Sequence, residues 1–98
     1  MTSRAPEECT SMAELRCEID ELDRSLIEML ALRAQCIDRA ITLKKVEGIP
    51  ARATDRVEEV VRKVRASAAK QGLDEELVEK LWCELIEWSI ERESKHLD

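Results

Sequence analysis

Apolar residues recur at steps of three and four along most of the chain, in three runs separated by two short breaks. The first run is Met12, Leu15, Ile19, Leu22, Leu26, Met29, Cys36, Ala40 and Leu43. That alternation is the period of one helix face. Ser11 and Glu14 stand just before it in the S-x-x-E spacing of a capping box, and nothing interrupts it until Gly48-Ile49-Pro50. The second run, Val57, Val60, Val61, Val64 and Ala68, starts near Thr54 or Asp55 and stops at Gly72. Glycine is the residue most at home just past a helix end. The third run, Leu77, Val78, Leu81, Trp82, Leu85 and Ile86, starts at Asp74 and reaches about Lys95. Glu75 and Glu76 suit the positive end of its dipole. The pattern predicts one all-α domain over residues 1–98: one long helix and two shorter ones, with residues 1–10 as a flexible lead.

The length of the first helix adds a constraint. About thirty-five residues at about 1.5 Å each make a rod of about 50 Å. A compact chain of this size is only about 35 Å across. One chain cannot cover such a rod, and the simplest partner is a second copy. A homodimer is expected.

Composition agrees and narrows the partners. The chain is 44% hydrophobic and 39% charged, with two Gly, two Pro and no Phe or Tyr. Strands need aromatic and turn residues that are scarce here. Sixteen basic against twenty-two acidic residues leave a net charge of −6. Such a surface repels nucleic acid and anionic lipid, so neither is expected as a partner. No apolar run approaches the ~20 residues of a membrane span, and Met1–Pro6 lacks the apolar core of a signal peptide. A soluble, cytoplasmic protein is expected. Cys9, Cys17, Cys36 and Cys83 form no CxxC, and His96 is the only histidine. Reduced thiols in a reducing compartment fit this spacing better than a zinc site or a Cys–His nucleophile. No metal or cofactor is expected.

Polar residues interrupt the stripes at informative places. Arg33 occupies the 3–4 register of Leu26, Met29, Cys36 and Ala40. Lys44 is eleven residues further, which returns to within about 20° of the same direction and about 16 Å along the axis. Lys45 points about 120° away from Arg33 and reads as solvated. Two long cations on one inner face could close on a small dianion. Arg33 also fits a snorkelling or ion-paired core arginine. On the third helix, Ser89 follows Trp82 by seven residues and Glu93 follows Ile86 by seven. Both continue an apolar stripe with polar groups, or mark where that stripe emerges into water. An uncompensated inward charge is costly, so Arg33 with Lys44 suggests an anion arriving from outside.

The run Leu15-Arg16-Cys17-Glu18-Ile19-Asp20-Glu21-Leu22-Asp23 resembles the opening of the all-helical (AroQ-type) chorismate mutases. Their signature is an Arg, a second Arg seventeen residues on and a Lys eleven beyond it. Here these are Arg16, Arg33 and Lys44, and both spacings are kept. The resemblance continues through Gln71-Gly72-Leu73-Asp74 to Ile86-Glu87-Trp88-Ser89. It implies an intertwined dimer with two equivalent sites and a small dicarboxylate substrate. Arg33 and Lys44 would hold substrate in their own chain's site, and Arg16 would cross to the partner's. Arg56 matches a further basic position, Ser89 a hydroxyl near a substrate carboxylate, and Glu93 the Gln or Glu that hydrogen-bonds the breaking ether oxygen. An ionised Glu93 can only accept, so it must carry a proton to help, and activity is expected to be highest at mildly acidic pH. A pericyclic rearrangement needs no nucleophile, metal or cofactor. It needs a flexible dicarboxylate frozen in a reactive pose and donors at the oxygen that gains charge. A millionfold acceleration is about 8 kcal/mol, within reach of a few preorganised cationic contacts.

One departure bears on substrate. Mutases of this type place a Glu directly after the position of Arg56, where it holds the substrate's C4 hydroxyl; here Val57 stands there. The lyase branch of the family, which cleaves isochorismate to salicylate and pyruvate, is also apolar at that position. Pro6-Glu7-Glu8-Cys9-Thr10 and the Ile49-Pro50 loop resemble that branch too, whereas Ser89 matches the mutases and Glu93 is not the Gln of the lyase. The expected activity is chorismate mutase, with isochorismate-pyruvate lyase or rearrangement of a 4-amino chorismate analogue as alternatives. A non-catalytic helical dimer is the rival of another class.

Overall fold

A computed structural model of the chain describes residues 4–97, so part of the lead expected to be flexible, residues 1–3, lies outside the described residues. Helices α1 (Met12–Glu47), α2 (Thr54–Gln71) and α3 (Glu75–Leu97) follow a single 3-10 turn at Pro6–Glu8. This is the all-α arrangement of one long and two shorter helices that the apolar periodicity predicts. No helix among the described residues is long and apolar enough to cross a membrane.

The helix ends are set by local chemistry. At the start of α1 the Ser11 hydroxyl accepts from the Glu14 backbone N–H at 3.2 Å, one half of the expected capping box. The reciprocal half is displaced by one residue: Glu14 Oε2 accepts from the backbone N–H and hydroxyl of Thr10 at 3.1 and 2.6 Å. These bonds hold the Glu14 carboxyl below its usual range. Both later breaks are Schellman turns. Ile49 N–H returns to Lys44 O at 2.9 Å across Gly48, and Leu73 N–H to Ala68 O at 2.8 Å across Gly72. The two glycines have φ of 72° and 68°. Nothing within 4 Å would meet an added Cβ at either position, so it is the left-handed backbone alone that requires glycine there. Asp74 caps α3, its Oδ1 accepting from the N–H of Glu76 and Leu77 at 2.9 and 3.4 Å.

The chain divides into two compact units, Met1–Gln35 and Cys36–Asp98. In the N-terminal unit Arg4 pairs with Glu14 beside the 3-10 turn, and no described residue is buried. The expected apolar stripe of α1 is present but uncovered: Leu22, Leu26 and Met29 are 57%, 57% and 66% exposed.

In the C-terminal unit α2 and α3 form a helical hairpin, latched near its turn by Arg65 to Glu79 and Glu75 at 3.0 and 3.6 Å. Its buried apolar residues are Ala51, Ala68, Val78 and Ile86. The valines expected to be buried on α2, Val57, Val60, Val61 and Val64, are half-buried, and Leu77 and Leu81 remain largely exposed. A single 98-residue chain lacks the surface to cover all three stripes.

Candidate active site

Two polar residues are as deeply buried as the apolar core: Ser89 and Glu93, each 4% exposed. They lie one turn apart on α3 and share the face of Ile86, so that stripe does not emerge into water. The Ser89 hydroxyl donates back to Leu85 O at 2.8 Å. This bond to the preceding turn satisfies a helical serine without drawing it out of the interior.

Lys44, in the last turn of α1, meets Glu93 with Nζ 2.6 Å from Oε1. The Glu93 side chain is 5% exposed and that of Lys44 is 19%. Among the described residues Oε1 has no aligned hydrogen-bond donor, so the contact with Lys44 is an ion pair made off the donor axis. Lys44 Nζ also donates to Ala51 O at 3.0 Å, in the connection between α1 and α2. An open pocket lined by Lys44, Lys45, Gly48, Ile49, Pro50 and Leu97 adjoins this cation.

Three of the residues singled out in the sequence are thus gathered at one end of the C-terminal unit: Lys44, Ser89 and Glu93. Arg56 is in the first turn of α2, where it donates to Glu59 of its own helix at 2.5 Å and stays exposed. Val57 beside it is half-buried. Arg33 is half-buried and Arg16 exposed, both on the α1 segment of the N-terminal unit.

Sequence reasoning missed the groups around the central pair. The Ala51 carbonyl has no side-chain signature. Next to it, Arg52 forks onto Glu87 of α3, Nη1 to Oε2 at 2.9 Å and Nη2 to Oε1 at 2.6 Å. Hydrogen bonding to the guanidinium holds the Glu87 carboxyl below its usual range. Arg92, the residue before Glu93, pairs with Asp38 of α1 at 2.5 and 3.1 Å and lies 5.4 Å from the Trp88 ring centroid. No spacing rule links residues 35 or 54 positions apart, so these pairs become visible only in the fold.

A half-buried cation and a buried acid, with a buried serine one turn from the acid, make a candidate site for a small anion that needs oriented charge. Comparison with known proteins gives the family. Residues 15–94 match the family model described as chorismate mutase type II. The chain is 32% identical over 94 residues to an isochorismate pyruvate lyase from Pseudomonas aeruginosa, covering 95% of this chain and 91% of that protein. It is 25% identical over 87 residues to a chorismate mutase from Methanocaldococcus jannaschii, covering 89% and 88% of the two chains. A 69-residue stretch is 33% identical to the T-protein of Haemophilus influenzae, covering 70% of this chain but 18% of that longer one.

Proposed function

The chain belongs to the type II chorismate mutases, and from that premise we propose that it rearranges chorismate to prephenate by clamping the substrate's two carboxylates in a reactive pose. Lys44 and Arg33 are the clamp. Glu93, paired with Lys44 until substrate takes that cation, donates to the ether oxygen when it carries a proton, as the carbon–oxygen bond breaks and a carbon–carbon bond forms. Ser89 and Arg56 bind the substrate's remaining polar groups, and Val57 lines the ring. The observation that carries this reading is the Lys44–Glu93 pair, a cation and an acid held 2.6 Å apart in a buried place. Fixed charge in a poorly solvated site stabilises a polar transition state without reorganising at the moment of reaction.

Completion of the site requires a second copy of the chain. The exposed row Leu22, Leu26 and Met29 on α1 is the natural seat of that copy, and Arg16, exposed on the same helix, reaches the partner's site. All four cysteines are free, which suits the cytoplasm, where we place the dimer.

Isochorismate-pyruvate lyase activity is the second reading, favoured by Val57. An apolar side chain there offers nothing to a C4 hydroxyl. Incubating purified protein with chorismate and with isochorismate, and identifying the products, separates the two. Prephenate from chorismate is expected. Salicylate and pyruvate from isochorismate, with chorismate untouched, would reverse the order.

A further inference from the structure

Lys44 is shared between two partners that differ in kind. Glu93 is a side chain that must change partner when substrate arrives, whereas the Ala51 carbonyl is backbone and stays an acceptor throughout. An ammonium on a four-carbon stem is a mobile point charge until its donors are directed. The constant direction for Lys44 is therefore the one toward Ala51. That residue is only 2% exposed, so its carbonyl moves only if buried backbone moves with it.

The next residue in the chain holds that backbone in place. Arg52 forks onto Glu87 through two hydrogen bonds of 2.9 and 2.6 Å, one from each terminal nitrogen to a different carboxylate oxygen. Glu87 lies two residues before Ser89 and six before Glu93 on α3. The fork thus ties the Ala51 segment to the same helix that presents Ser89 and Glu93. Both side chains are about half exposed, at 51% and 58%, and ion pairs so open to water contribute little to stability. A bidentate fork fixes orientation more than it stabilises.

We propose that Arg52 and Glu87 are positioning residues for Lys44: their fork sets the Ala51 carbonyl, and that carbonyl aims the ammonium at the substrate. Neither residue touches substrate. The inference rests on the assignment of Lys44 as a substrate clamp, and its test has one arm that needs no turnover.

In that arm, Lys44 is labelled with an amine-acylating reagent in the substrate-free protein. Its rate is read by mass spectrometry against Lys45, the exposed neighbour. In the other arm kcat and KM for chorismate are measured. Arg52→Ala and Glu87→Ala should each speed labelling of Lys44 relative to Lys45. Each should lower kcat about tenfold with a smaller change in KM, because aim matters most in the transition state. Arg52→Lys keeps the charge but not the fork and should fall between. The exchanged pair Arg52→Glu with Glu87→Arg should return kcat to within about threefold of the parent, since the fork re-forms in reverse. Melting curves confirm that each variant is folded at the assay temperature. Wild-type labelling and kcat in the three fork-breaking variants would overturn the proposal, as would losses that follow melting temperature with Lys44 still protected. A parent chain that leaves chorismate untouched, yet exposes Lys44 when the fork is cut, overturns the activity and keeps the positioning role.

Discussion

Lys44 and Glu93, forty-nine residues apart in the chain, stand 2.6 Å from each other, and the acid is the more deeply buried of the two. Each is a counter-charge to the other. Under the proposed function a dianion would compete with Glu93 for Lys44, leaving Glu93 to turn to the ether oxygen. The pair therefore links folding stability and catalysis in a way that mutation can separate.

Lys44→Ala strands a buried carboxylate without a partner. Breaking one side of a buried ion pair costs about 3–5 kcal/mol, and access of water to the Lys44 side places the expected loss nearer about 2–3 kcal/mol. Lys44→Met with Glu93→Leu removes both charges and should melt near the wild-type temperature while turning over nothing. Urea denaturation with parallel assays reads both. A double variant as unstable as the single one would mean that the pair does not carry this cost.

Glu93→Gln keeps the shape of the acid and supplies an amide donor at every pH. We expect its activity to depend less on pH than the parent's, because a carboxyl donates only while it carries a proton and an amide always can. Rate profiles of both proteins against pH are the measurement. Parallel profiles would remove Glu93 from the ether oxygen.

Asp38 gives a pH-dependent term of opposite origin. Its carboxyl is held below the ordinary aspartate value of 3.8, first by the hydrogen bond from Arg92 and then by that residue's charge. A lowered value means that the ionised form favours the folded chain. The contribution is complete above the unfolded-state value and fades as pH falls through the folded-state one. Asp38→Asn should therefore melt below wild type at neutral pH, and the two curves should converge once the pH has fallen through the folded-state value. A gap that persists in acid would point to packing rather than charge.

The uncovered row on α1 predicts concentration-dependent stability. Melting temperature should rise with protein concentration, and light scattering at micromolar concentration should give about twice the 11.3 kDa of one chain. Leu26→Glu, a charge placed in the middle of the row, should abolish both. Arg33→Ala should cost about tenfold or more in turnover with the helices intact. When Arg16→Ala and Arg33→Ala chains are mixed and allowed to exchange, one site of two should regain both arginines. Absence of recovery after exchange, confirmed by mass, would count against a shared site.

Helix boundaries were readable because they are written in local chemistry. Gly48, Gly72 and Asp74 act through bonds to neighbours within five residues, and each stands where periodicity placed it. Glu14 shows the limit of such rules. The S-x-x-E spacing located the helix start, but Thr10 offers both a hydroxyl and an N–H and takes the place that the capping box gives to the Ser11 N–H. At the site, spacing put Ser89 and Glu93 on the inner face of α3, yet the same spacing fitted a fraying end; only their burial decides it. The meeting of Lys44 with Glu93, and the roles of Ala51, Arg52 and Glu87, depend on how helices far apart in sequence come together. Arg56 carried a family position in sequence, and in the fold its guanidinium pairs with Glu59 on its own helix. Half-buried valines on α2 reflect chain length, since one chain has too little surface to cover what the pattern marks as core.

The Trp88 ring beneath Arg92 also makes α3 its own optical reporter. With neither Phe nor Tyr in the sequence, near-ultraviolet absorption and emission come almost entirely from Trp82 and Trp88, both on the helix that bears Ser89 and Glu93. An indole 5.4 Å from a guanidinium sits in a strong local field, and that field changes whenever Arg92 shifts its hold on Asp38. The unlabelled protein can therefore be followed through ligand titration or acid by its own fluorescence.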